Sequence, residues 1–276
     1  MDVQTSSKVE NLLQQIVLTA QKAFGENLVG IYVHGSLAFG CFRWEQSDID
    51  FLVVLENKPA FKEKVQFLES LLKIEKDGPS KGLEMSVVLK KFCEKFKYPT
   101  PYELHYSKFH ESSCRKDVAG FARKMEGTDR DLAAHFKVVG TVGKAIFGEP
   151  PKKVFQDVPD YAYIDSIMAD VENGEKEIFL HPVYIILNLC RVLAYLEEEK
   201  LLSKEDGAVW GMAYVPQQFQ ALVKRAGEFY GGRETGNRSS CFSDKELKDF
   251  AVYMNRKIEQ KWTFCAGSQQ PCDVSR

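Results

Sequence analysis

The sequence predicts an α+β protein in two parts, with strands alternating with helices in the N-terminal half and helices alone in the C-terminal half. Three observations carry this reading. β-rich apolar runs at 28–34, 50–55 and 83–89 are separated by stretches of helical periodicity. Beyond residue 129 the strand signals fade, and helical patterns follow one another as far as residue 262. At 276 residues the chain is also long for a single core, which favours two domains.

Each element has its own justification. Over residues 7–24, Val9, Leu12, Leu13, Ile16, Ala20 and Phe24 share a helical face, and Gly25 is the stop. LVGIYVH (28–34) reads as a strand ending at Gly35-Ser36, and DFLVVL (50–55) as a second, broken off by Pro59. FKEKVQFLESLLKIEK (61–76) has the pattern of an amphipathic helix, closed by Gly78-Pro79. LEMSVVL (83–89) is a third strand, and YELHYS (102–107), after Pro99 and Pro101, a fourth. DRDLAAHFKVVGTVGKAIFG (129–148) reads as helix in spite of its glycines, and Gly148-Glu149-Pro150-Pro151 as the linker. Helical patterns follow at 163–173, 182–199, 204–213, 216–229 and 244–262. Two of them open on capping boxes, Ser203 with Asp206 and Ser243 with Glu246. The expected organisation is therefore a first domain over 1–150, a helical domain over 151–265 and a disordered tail over 266–276.

Composition excludes several classes of function. Lys and Arg total 37 against 39 Asp and Glu, so no positive excess points to a nucleic-acid partner or an anionic membrane. The N-terminal MDVQTSSKVENLL has no basic segment leading into an apolar one, as a secretory signal would. No apolar run approaches the roughly 18 to 20 residues that span a bilayer. The seven cysteines are odd in number, scattered and never spaced C-x-x-C, which argues against a zinc site or a disulfide framework. Reduced cysteines in a cytoplasmic protein are the expectation.

The chemistry concentrates between residues 30 and 84. Gly35-Ser36 follows the first strand directly, and Asp48-x-Asp50 opens the second with eleven residues between Ser36 and Asp48. Residues two apart on a strand point to one face, so the two carboxylates stand side by side. Like charges so placed repel, and a positive partner is required. Glu84 opens the third strand. If the three strands are neighbours, three carboxylates converge at one sheet end, a hard-oxygen set that suits Mg²⁺ and a substrate phosphate. A glycine lets the backbone approach a phosphate closely, and Ser36 offers its N–H and hydroxyl to the same group. A lone D-x-D is more often surface polarity, and a lone Gly-Ser merely a turn. It is the ordered conjunction that is specific.

This arrangement resembles the nucleotidyltransferase superfamily, whose core is a small mixed sheet with helices, as in DNA polymerase beta. The resemblance implies that Asp48, Asp50 and Glu84 hold Mg²⁺ and the nucleoside triphosphate, with Gly35 and Ser36 at the phosphates and Ser47 close by. A narrower resemblance runs over most of the chain. GLEMSVVL, YPTPYELHYSKF, ILNLCRVLAYL, LSKEDGAVW and RAGEFYGG follow, in that order, segments of the aminoglycoside (3″)/(9) adenylyltransferases. Those enzymes pair a nucleotidyltransferase domain with a C-terminal helical bundle, bind the drug between them, and add AMP to a hydroxyl of streptomycin or spectinomycin. By that resemblance Glu84 is the general base, and Arg191, Lys204 and Tyr230 of the helical domain reach ATP. The residues agree in part. Arg191 sits at the end of an apolar run, where a bare charge needs a partner. Lys204 opens a helix, a poor place for a cation unless it faces an anion, although a solvated lysine or a packing tyrosine at 230 is the plainer alternative.

Departures from the family pattern bear on the drug side. Where members place a tryptophan after G-E, the segment YSKF puts Phe109. Where they carry an acid ahead of the arginine-bearing helix, FLHP here puts His181, and Glu172, with Asp170, Glu175 and Glu177, offers negative charge nearby. Each of those acids also reads as a solvated helix-surface residue. His34 beside the Gly-Ser turn reads as capping a strand rather than touching nucleotide, and His105, His110 and His135 suggest no ligand set. The same first domain would serve another small-molecule acceptor such as a lincosamide. It would also serve a toxin–antitoxin type enzyme acting on RNA or protein, which the balanced charge and long helical partner disfavour, or a non-catalytic protein, which the presence of all three acids disfavours.

Overall fold

A computed structural model of the chain describes residues 3–232 and 241–268, with side chains as far as Trp262. These residues form two compact units, divided after Ser166. The first opens with α1 (Val3–Phe24), β1 (Leu28–Val33), α2 (Gly35–Phe39), β2 (Ile49–Leu55), α3 (Phe61–Ile74), β3 (Leu83–Leu89) and α4 (Lys90–Glu94). It continues through β4 (Thr100–Tyr102), β5 (Leu104–Tyr106), α5 (Glu111–Lys116), α6 (Val118–Lys124), β6 (Gly127–Asp129), α7 (Leu132–Val142), β7 (Lys144–Phe147) and α8 (Pro151–Val154). α9 (Asp160–Ala169) crosses the division. The second unit then holds α10 (Gly174–Glu177), α11 (Pro182–Glu198), α12 (Lys204–Tyr214), α13 (Gln217–Tyr230) and α14 (Asp244–Ser268).

The main sheet of the first unit has the order β5-β3-β2-β1-β7, with β4 and β6 paired separately. It is mixed: β2 and β3 run parallel, while β1–β2, β1–β7 and β3–β5 are antiparallel. The strand period of two sorts its residues between the faces. Ile31, Val33, Ile49, Phe51, Val53, Leu55, Leu83, Met85, Val87 and Leu89 join a core with Val9, Leu12, Ile16 and Phe24 of α1 and Phe67, Leu68 and Leu71 of α3. The same period assigns Tyr32, His34, Asp48, Asp50, Glu84, Ser86 and His105 to the opposite face. There Tyr32 meets Phe155, which also meets Phe136 of α7, ring centroids 5.0 and 5.1 Å apart. The hydrophobic core thus lies behind the sheet, and the acidic residues are on the side away from it.

Two local readings differ from the sequence expectation. The stretch 129–148 is helical only over α7, after which KAIF leaves the helix at Gly143 and pairs with β1 as an edge strand. Three apolar residues after a lysine suffice for either structure, and here the open edge of β1 decided in favour of pairing. YELHYS is two short strands in different sheets, because Thr100–Tyr102 pairs with β6 and Leu104–Tyr106 with β3. The Gly148–Pro151 run leads into α8, and residues beyond it remain tied to the first unit. Gln156 N–H donates to the Cys93 carbonyl at 2.9 Å, and Arg130 grips Asp165 through two bonds of 2.8 Å.

The second unit is all helical. α11 buries Ile185, Ile186, Leu187, Leu189, Cys190, Val192, Leu193 and Ala194, apolar positions around most of its circumference, as befits a central helix. It packs against α12, α13 and α14. Pro182 occupies its first turn, where the missing N–H costs nothing. Among the described residues no helix is long and apolar enough to cross a membrane. α14 runs to Ser268, and positions 269–276 of the expected tail lie outside the described residues.

The cap at the start of α12 is formed as its sequence suggests: Ser203 Oγ accepts the Asp206 N–H at 3.0 Å from a buried position. Ser203→Ala is expected to destabilise the helical unit by about 1 kcal/mol. Urea unfolding followed by far-UV circular dichroism measures it, and an unmoved midpoint would show that the cap contributes nothing.

Candidate active site

The site begins with strand register. On the parallel pair β2–β3, Asp50 stands directly opposite Glu84, and Asp48 lies two residues before Asp50 on the same face. One carboxylate oxygen from each of Asp48, Asp50 and Glu84 lies within 4.8 Å of the other two, all three residues half-buried. Opposite ligands of an octahedral Mg²⁺ are about 4.2 Å apart, so three hard oxygens gathered this closely would serve one such ion after a small inward shift.

Gly35 makes the cluster possible. It follows β1 with φ of +53°, and a Cβ there would fall 1.9 Å from Asp50 Oδ2. Both the backbone conformation and the carboxylate therefore require glycine. His34 N–H donates to the Asp50 carbonyl at 3.0 Å, which fastens the Gly-Ser turn to β2. Ser36 Oγ is buried and makes no hydrogen bond to the described residues, as suits a hydroxyl meant for a ligand. Ser47 shapes the turn beside it. Its buried hydroxyl accepts the Arg43 N–H at 3.1 Å, and its own N–H donates to the Arg43 carbonyl at 2.8 Å, closing the turn that delivers Asp48.

A pair of residues that sequence reasoning passed over borders this cluster. Asp131, at the N-cap of α7, and His135, one turn into it, form an ion pair of 3.1 Å. Burial favours the neutral form of each, but their mutual attraction reverses it, depressing Asp131 and raising His135. Glu84 and Asp50 raise His135 further, so positive charge stands within electrostatic range of the acids. The His135 ring lies 4.5 Å from that of His34, which burial, and then His135, hold well below the usual histidine range. The i,i+4 spacing of Asp131 and His135 was a legible signal. Their proximity to the acids depends on how α7 packs.

Phe109, expected at the drug, follows β5 in a turn over Lys108–His110 and is 90% exposed. β5 runs antiparallel to β3, so its end lies beside the start of β3, at the same sheet edge as Glu84.

In the second unit, Arg191, Lys204 and Tyr230 gather around the start of α12. The Lys204 ammonium stands over two rings, 5.0 Å from the centroid of Tyr184 and 5.9 Å from that of Tyr230. Arg191 donates through Nε to the Leu202 carbonyl at 2.8 Å and through Nη1 to Asn188 Oδ1 at 2.9 Å. The guanidinium is thereby a brace for the turn that leads into Lys204. Tyr184, not singled out by sequence, donates to Asp170 Oδ1 at 3.4 Å. His181 is exposed at the N-cap of α11, and Glu172 is exposed in the turn between α9 and α10.

Two family models match the chain. Residues 14–95 match the polymerase beta nucleotidyltransferase domain, and residues 153–257 match the C-terminal domain of aminoglycoside adenylyltransferase. The two models thus match the chain in succession, a nucleotidyltransferase domain first and an aminoglycoside adenylyltransferase C-terminal domain second. A Klebsiella pneumoniae aminoglycoside (3″)(9) adenylyltransferase is 22% identical over 91% of this chain and 95% of its own length. A Staphylococcus aureus spectinomycin 9-adenylyltransferase is 24% identical over 92% of this chain and 96% of its own. Among solved structures, the Enterococcus faecialis spectinomycin adenyltransferase, crystallised with ATP and spectinomycin, superposes with a TM-score of 0.75 at 18% identity. That match covers 91% of this chain and 99% of the other, and shows the shared fold. The carboxylate cluster lies within the residues that match the nucleotidyltransferase model, and the Lys204 cluster within those that match the C-terminal one.

Gly35→Ala tests the geometry. The added methyl must displace the Asp50 carboxylate, and the variant is expected to fold yet lose divalent-cation binding by tenfold or more, read by Mn²⁺ titration. Binding equal to the parent would show that Asp50 holds no metal.

Proposed function

We propose that the chain transfers AMP from ATP to a hydroxyl of an aminoglycoside or aminocyclitol antibiotic, of the spectinomycin or streptomycin kind, releasing pyrophosphate. One observation carries this reading: Asp50 opposite Glu84 with Asp48 beside them, three half-buried acids on adjacent strand starts next to a Gly-Ser turn. The antibiotic is proposed from what the relatives are named for.

Asp48 and Asp50 would hold Mg²⁺, with Glu84 adjacent, and the ion when bound would neutralise charge on the triphosphate. Ser36 donates its hydroxyl to a phosphate oxygen, and Gly35 gives the backbone close access. Glu84 accepts the proton of the attacking hydroxyl. The freed oxygen forms its bond to the α-phosphorus as the bond to pyrophosphate breaks, so the chain contributes position and electrostatics rather than covalent chemistry. Lys204, with Arg191 and Tyr230, supplies positive charge and an aromatic face to ATP. Phe109, Glu172 and His181 are the candidate drug contacts, the first a stacking surface and the second a negative charge for a cationic drug.

Incubation with ATP, Mg²⁺ and an antibiotic panel, read by mass spectrometry, should yield a product heavier by one AMP. No adduct on any panel member would overturn the reading. Asp50→Asn should remove transfer and metal binding together in a folded protein. Glu84→Gln should keep ATP–Mg²⁺ affinity within about threefold while turnover falls by roughly 10² or more, the usual span for a lost general base. If ATP–Mg²⁺ binding disappears instead, Glu84 is chiefly a metal ligand. Lys204→Ala should weaken ATP binding, and calorimetry showing unchanged affinity would return that lysine to the solvated surface.

A further inference from the structure

Behind the strand that carries Glu84 lies a second acid that the proposed chemistry does not use. The Glu75 carboxylate, in the turn that follows α3, has no exposed side-chain surface. Its Oε1 accepts the Leu83 N–H at 3.3 Å, its Oε2 accepts the Tyr106 hydroxyl at 2.5 Å, and Arg115 Nη2 approaches Oε2 at 3.8 Å. Burial, and then the bond to Glu75, push the Tyr106 phenol well above its ordinary range, so it stays a donor.

The reason for an acid at this point lies in the ladder. Ile49 N–H donates to the Gly82 carbonyl at 3.1 Å, so Gly82 and Glu84 turn their backbone groups toward β2, and Leu83 turns its own the other way. On that side β5 pairs with β3 only as far as Met85 opposite Tyr106. The chain then leaves the sheet for the turn bearing Phe109. At Leu83 the strand partner has ended, and a carboxylate oxygen from Glu75 takes its place. Gly82 admits that oxygen: its φ is +81°, and a Cβ there would lie 2.7 Å from Glu75 Oε1.

We infer that Glu75 is a positioning residue for Glu84. It stands in for the missing strand partner at Leu83, holds the first residues of β3 against β2, and so sets where the Glu84 carboxylate sits relative to Asp50. The same network reaches the Phe109 turn. Arg115 Nε binds Glu111 at 2.7 Å, and Glu111 binds Lys108 at 2.6 Å, next to Phe109. The inference rests on the proposed role of Glu84 as base.

Its test compares Glu75→Gln, which keeps one oxygen for Leu83 N–H, with Glu75→Leu, which keeps none, and Tyr106→Phe, which leaves the Leu83 contact intact. Turnover, KM for both substrates, thermal midpoint and amide exchange at Leu83 and Glu84 are measured for each. Displacing a catalytic group by about 1 Å costs on the order of 10²-fold. Glu75→Leu should therefore lose about that much in kcat, Glu75→Gln about tenfold and Tyr106→Phe about threefold, each with KM for ATP within about twofold. Exchange should rise at Leu83 and Glu84 ahead of the rest of the sheet. Should the leucine variant fail to fold, the glutamine and phenylalanine variants carry the comparison. A folded Glu75→Gln with wild-type kcat, or losses in kcat and KM that simply track the thermal midpoint, would overturn the inference. If the parent protein transfers no AMP, the functional reading fails, and the exchange measurement still decides whether Glu75 holds Leu83.

Discussion

Mutual repulsion of carboxylates at the starts of β2 and β3 is the constraint on which the rest of this structure depends. Two unit negative charges within 4.8 Å repel by about 1 to 3.5 kcal/mol between a water-like and a protein-like dielectric, and here three are gathered. No sheet would adopt this register for its own stability, since like charges directly opposite each other weaken a ladder. The register is instead held by what lies behind it. Phe51, Val53, Met85 and Val87, on the other face of the same two strands, are fully or almost fully buried against α1 and α3. A slip by one residue would expose them and bury the acids. The hydrophobic face therefore stabilises the charged one, and the charges face away from the core.

What surrounds the acids follows from the same constraint. Positive charge stands near them: the Asp131–His135 pair at the start of α7 lies within electrostatic range, with the cationic member matched to its own aspartate. Charge of that sign eases the gathering of three acids in one place. Gly35 serves the same end sterically, since only a hydrogen atom fits between the turn and Asp50.

Much of this was legible in the residues themselves. The three central strands, the helical second half and the D-x-D with its partner glutamate are local patterns, set by periods of two and 3.6 and by turn residues. The misreadings share a cause. KAIF became a strand because β1 had an open edge, and Thr100–Tyr102 left its neighbours because β6 was available to pair with it. Neither partner is visible from a window of adjacent residues. The same holds for Glu75, which in sequence is one more acid in the charged run KIEKD, and becomes buried only through the geometry of β3, β5 and α5. Tyr184 was hidden for a different reason: as the third residue of an apolar helix it reads as core, yet it lies partly exposed beneath the Lys204 ammonium.

The second unit repeats the logic with the sign reversed. Lys204 begins a helix, where the partial positive charge of the helix end disfavours a cation. Two π-faces meet it there, and Arg191 braces the preceding turn through one bond to the Leu202 carbonyl. Aromatic faces attract an ammonium without supplying a counter-anion. Two rings therefore offset part of that cost and help to fix where the ammonium stands. Both units thus fix charged groups in part through uncharged contacts: apolar burial behind the strands in the first, aromatic faces and a braced turn in the second.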